Sequence, residues 1–210
     1  MKISTALKAL AGAAVVLLPL TATAESTFST GAAALSSTAR VDFQITIPKI
    51  LYLRVGTGSA YPTTLSSVGT VDLVTFSPAA GVVGNGTAVV GAGGDLTGGV
   101  ETAAIISNSG NVTLNATATG AIGNGAGDTI AYTQITTTAS ALTGAYTLLP
   151  APVLANGVSA NVVLTAPATK VITADAKWTY AYANTTTPPA GTYGGVNTNN
   201  SRVTYTATMP

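Results

Sequence analysis

Few side chains in this chain can do chemistry. Among 210 residues there is no histidine and no cysteine. That removes Ser-His and Cys-His nucleophilic pairs, and zinc or copper sites built on nitrogen and sulfur ligands. Carboxylates remain, among them Asp72, Asp95, Glu101, Asp128 and Asp175. A pair of them could serve as acid and base, but nothing in their spacing brings two together, and they read as solvated residues of turns and strand ends. Asp95 and Glu101, six apart in a glycine-rich stretch, are the best candidate pair for calcium, which needs several converging oxygens; no loop motif frames them. The glycine clusters Gly91-Ala92-Gly93-Gly94-Asp95-Leu96 and Gly123-Asn124-Gly125-Ala126-Gly127-Asp128 do not match a phosphate loop, and neither leads into a helix, so both read as turns. No enzyme activity, metal or cofactor is expected.

Composition narrows the remaining classes. Charged residues make up 7% of the chain, against about 25% in an ordinary soluble domain. Disorder is not the reason, because 47% of residues are hydrophobic. The expectation is a Thr/Ser/Asn-rich surface partly covered by something else. Met1–Ala24 has the pattern of a secretory signal peptide: Lys2 and Lys8, the apolar run Ala9–Leu20, then Ala22-Thr23-Ala24. The apolar run is shorter than the roughly 20 residues that span a bilayer, so no membrane span is expected in the mature form. Its removal takes away Lys2 and Lys8 and leaves six basic against seven acidic residues. A near-neutral chain does not support nucleic-acid binding. The absence of cysteine leaves an exported fold without disulfide staples.

The elements that must position any site are strands. Thr38–Ile47 alternates strictly, with Val41, Phe43, Ile45 and Ile47 on one face and Arg40, Asp42, Gln44 and Thr46 on the other. After Pro48, the phase resumes with Leu51, Leu53 and Val55. Further strands are expected at Val71–Phe76, Thr87–Val90, Val100–Ser107, Asn111–Thr117, Asp128–Thr136, Tyr146–Leu149, Ala160–Ala166, Ala176–Ala183 and Arg202–Met209. Ser109-Gly110 between two of them predicts a hairpin. A helical turn is allowed only within Ala139–Leu149 and Ala166–Asp175. Some ten short strands with frequent turns predict an all-β antiparallel sandwich or barrel. The division expected is 1–24 leader, 25–37 N-terminal extension, and 38–210 a single β domain. Trp178, Tyr180 and Tyr182 share one face of their strand. Such a stripe is usually core, and its alternative role is a stacking platform for sugar.

The two ends carry a resemblance. Pro189–Tyr193 followed by Arg202–Met209, together with Ala39–Val55, resembles secreted bacterial pilin-like proteins of the chaperone–usher and spore-coat-U types. The resemblance implies an incomplete immunoglobulin-like sandwich with an extended N-terminal arm, completed by a strand donated from the next subunit. It also implies export past a periplasmic chaperone and an outer-membrane pore to the cell surface. The chain departs from the common pattern in lacking the disulfide pair. The expected function is therefore a structural subunit of an extracellular filament, a head-to-tail homopolymer. The alternative is a monomeric secreted carbohydrate-binding module. Candidate donor side chains are Val41, Phe43, Ile45 and Ile47, or the weaker Phe28, Ala33 and Leu35. Because Thr38–Ile47 runs straight into Ile50–Val55, it is expected to join its own core, leaving Ser26–Ser37 as the free arm.

Overall fold

Beyond Pro48 the alternating stretches become strands, and all-β is the class observed. The computed structural model describes residues 25–57, 61–62 and 64–210, so the leader assigned to Met1–Ala24 lies outside the described residues. Two compact units divide at Ile47: residues 1–47 and residues 48–210.

The second unit holds thirteen strands among the described residues. They are β1 (Leu51–Val55), β2 (Val74–Thr75), β3 (Val89–Val90), β4 (Ala92–Gly93), β5 (Val100–Ser107), β6 (Val112–Ala118), β7 (Ile122–Gly123), β8 (Thr129–Ile130), β9 (Ile135–Ser140), β10 (Thr147–Leu148), β11 (Val162–Leu164), β12 (Ile172–Tyr182) and β13 (Val203–Thr208). The larger sheet runs β1-β5-β12. On its far side β12 takes β9 antiparallel along its second half and β10 parallel along its first. The smaller sheet is β11-β6-β13, antiparallel throughout.

One core joins the two sheets. Alternation puts Ala103 and Ile105 of β5, Ala174, Ala176 and Trp178 of β12, and Val112, Leu114 and Ala116 of β6 in the same buried cluster. Trp178 and Tyr205 of β13 meet across it with ring centroids 5.2 Å apart, a separation that favours tilted aromatic pairs. Trp178 also donates from Nε1 to the Leu149 carbonyl at 2.9 Å, which satisfies its one polar atom inside the core.

Two expectations are corrected here. The segment Ser109-Gly110 does not close a hairpin: β5 pairs with β1 and β12, whereas β6 pairs with β11 and β13. The turn carries the chain from one sheet to the other, because both strands bury an apolar face in the same core. The regions allowed a helical turn contain none; Ala139 and Ser140 end β9, and Ile172–Asp175 open β12. The two single 3₁₀ turns among the described residues are Ala80–Val82 and Tyr132–Gln134.

In the first unit, residues 25–40 double back on themselves. Thr27 Oγ1 donates to the Thr38 carbonyl at 2.7 Å and accepts from the Thr38 N–H at 2.9 Å. Ser29 Oγ donates to the Ser36 carbonyl at 3.0 Å. Arg40 closes the loop on both Glu25 carboxylate oxygens, each at 2.9 Å. Both side chains are substantially exposed, so the ion pair adds little stability. Thr38–Ile47, expected to build into the core, belongs to no strand, and its apolar side chains are exposed, Phe43 by 89% and Ile45 by 85%. Period two marks which face wants burial; it does not provide the partner that buries it.

Candidate functional site

The feature that distinguishes the β-sheet unit is an open groove of ≈ 1690 Å³ among the described residues, lined in part by Leu51, Leu53, Val55, Val203, Tyr205 and Tyr180. Its walls follow from the strand pattern. Leu51, Leu53 and Val55 share one phase of β1, and Val203, Tyr205 and Ala207 share one phase of β13. All six pack against the core yet remain only half-buried. β1 pairs with β5 alone and β13 with β6 alone. The two approach to within 8 Å between Cα atoms in places, and no ladder joins them. Among the described residues neither strand has a ladder on its other edge, which lies beside a half-covered core, the arrangement that invites another strand.

Polar groups mark one end of the groove. The Tyr180 and Tyr205 hydroxyls are hydrogen-bonded at 2.8 Å; burial pushes Tyr205 up to about 12 and raises Tyr180 well above the usual phenol value. Both rings are therefore neutral at physiological pH. Tyr205→Phe is expected to leave the Tyr180 hydroxyl without this partner and to cost about 1–2 kcal/mol, measurable as a shift in the urea midpoint at constant m.

Glu101, which is 5% exposed, lies on the same inward face of β5 as Ala103 and Ile105. Its carboxyl meets that of Asp72 over Gly56. A Cβ on Gly56 would collide with oxygens of both carboxyls, and the φ of +81° at this residue favours glycine independently. Burial above all, then the neighbouring Asp72 charge, pushes Glu101 up to about 8. Two carboxyls that spacing left apart, 29 residues distant in sequence, are thus brought together by topology.

The calcium pair reads differently in three dimensions. Asp95 accepts from the Thr102 N–H at 2.8 Å and the Thr102 hydroxyl at 2.5 Å, and its own N–H donates to Glu101 Oε2 at 3.3 Å. Its carboxylate closes the loop between β4 and β5. Among the described residues no group of three or more carboxylates could hold a metal ion.

The sugar platform is corrected as well. Trp178 is fully buried, and Tyr180 and Tyr182 nearly so, so the three rings present no open face to a sugar. The candidate donor side chains Phe28, Ala33, Leu35, Val41, Phe43, Ile45 and Ile47 are all exposed. Phe28, Ala33 and Leu35 fall within the doubled-back residues 25–40, and Val41–Ile47 follows after them.

No family model matches the chain, and no curated protein or solved structure matches it either.

Proposed function

We propose that the chain is the structural subunit of an extracellular filament, in which Val41–Ile47 of one subunit fills the groove between β1 and β13 of the next. The observation that carries this reading is the pairing of two deficits in one sequence. The β-sheet unit has a core open between two strands that no ladder joins, and the chain also holds a strictly alternating segment with its apolar face exposed. In this reading the two sheets form an immunoglobulin-like sandwich lacking the strand beside β13.

The dimensions agree. Val41–Ile47 spans about 20 Å when extended, close to the length of β13. Strand addition satisfies the backbone of the free edge, while Val41, Phe43, Ile45 and Ile47 enter the groove. Each large apolar side chain so buried is worth about 1.5–3 kcal/mol. Filling its own groove is disfavoured by the link. Asn108 accepts from the Ile50 N–H at 2.8 Å and donates to the Pro48 carbonyl at 2.8 Å, and the Asn108 N–H donates to the Ile50 carbonyl at 3.3 Å. Pro48–Ile50 is thereby held along β5, and turning the chain back within three residues would break these bonds. Donation to a second copy does not close on itself, so it propagates. Low surface charge suits subunits that cover one another.

Two truncations test the assignment. Removing residues 25–37 from the mature chain is expected to preserve assembly, whereas removing residues 25–47 is expected to leave monomers by size-exclusion chromatography. Equal assembly of both truncated forms would contradict it.

A further inference from the structure

We propose that a single proton held between Glu101 and Asp72 fastens the wall of the groove that carries Asp72, and that losing this proton loosens the wall. The inference goes beyond assembly and rests on geometry within one subunit. Residues Thr64, Val68, Val71, Asp72 and Leu73 line the groove. Just beyond them the chain is tied to the body by the short β2–β4 ladder and by the Gly94 N–H donating to the Leu73 carbonyl at 3.3 Å. The Asp72 carboxylate is a side-chain anchor of this wall. It accepts from the Thr57 N–H at 3.0 Å and meets Glu101 over Gly56. With Glu101 protonated, its hydroxyl donates to Asp72. When that proton leaves to solvent, two carboxylates face each other in a buried place. By alternation Arg54 lies opposite Ala104 and Lys177 opposite Thr102, out of phase with Glu101. Among the described residues, Glu101 also meets Asp95, which donates its N–H, and the Tyr180 and Tyr205 hydroxyls, and none of these supplies positive charge.

The sign follows from the direction of the shift. Glu101 is held up to about 8 in the fold, above its value in an unfolded chain, so the folded protein binds more protons across the interval between the two values. The stabilisation is complete below the ordinary glutamate range and is lost as pH rises through about 8. The window is unusually clean. With no histidine and no cysteine, the only other group expected to titrate there is the α-amino terminus.

The test uses the mature chain at pH 6 and pH 9. The wild type is expected to lose about 3 °C or more in Tm between them, with faster amide exchange at Thr57 and Gly94 at pH 9 than the intrinsic pH dependence accounts for. Glu101→Gln keeps a neutral donor to Asp72, and Asp72→Asn removes the facing charge, so both are expected to abolish that difference. The infrared carbonyl band of a protonated carboxylic acid, read on the wild type at pH 7, keeps the test decisive if a variant fails to fold. The band is expected to disappear by pH 9 with the same midpoint. Its absence at pH 7, or an undiminished Tm difference in Glu101→Gln, would overturn the proposal.

Discussion

Replacing Phe43 and Ile45 together by aspartate is expected to abolish assembly and leave thermal unfolding of the subunit unchanged. Both side chains are exposed in the chain itself, so the substitution removes no intramolecular packing. In a groove lined in part by Leu51, Leu53, Val203 and Tyr205 it would put two carboxylates where apolar side chains are meant to pack. Taking two carboxylates out of water against apolar side chains is expensive enough that the segment would stay out. The lost apolar burial alone removes about 3–6 kcal/mol from the contact. Sedimentation velocity gives the readout for assembly, and circular dichroism gives Tm. Phe43→Leu with Ile45→Val, which keeps the apolar pattern, is expected to assemble. A double-aspartate chain that still forms large species would show that the contact lies elsewhere.

Trp178→Ala is expected to have the largest effect on the fold itself. The indole is completely buried, bridges the sheets through Tyr205 and satisfies the Leu149 carbonyl. Truncating a buried aromatic costs about 3–5 kcal/mol, and the orphaned carbonyl adds to it. Against a typical total of about 5–15 kcal/mol, this brings the subunit near unfolding at physiological temperature. Denaturant unfolding followed by circular dichroism measures it, since the only tryptophan is gone. A loss below 1 kcal/mol would contradict the place given to Trp178 in the core.

The strands were legible where one face is buried and the other wet. Arg202–Met209 alternates without interruption and becomes β13, shorter by one residue at each end. The aromatic stripe of Ala176–Ala183 falls in β12 and does what such stripes usually do, filling the core. Sheet membership was not legible. Ser109-Gly110 has the residues of a hairpin turn, but a chain crossing between sheets needs the same tight turn, and only the tertiary pairing of β5 and β6 separates the two cases. Asp72 and Glu101 meet because β1, β5 and the entry to β2 converge over Gly56, and no local pattern signals such a convergence. Half of the candidate site was in view from the start. The phases of Leu51, Leu53, Val55 and of Val203, Tyr205, Ala207 both point inward. That they meet along an opening rather than a closed edge follows from β1 and β13 sharing no ladder, a matter of pairing and not of period. Val41–Ile47 shows the same limit from the other side: its pattern demands a sheet and names none.

The most direct test of the central claim uses the absence of native cysteine. Two tagged forms of the chain, one carrying Ile45→Cys and the other Tyr205→Cys, are co-expressed and oxidised. Residue 45 of one copy is predicted to lie in the groove beside residue 205 of the other, giving a disulfide-linked heterodimer that carries both tags. No heterodimer, together with efficient cross-linking only when both cysteines are placed in one chain that remains monomeric, would contradict the account.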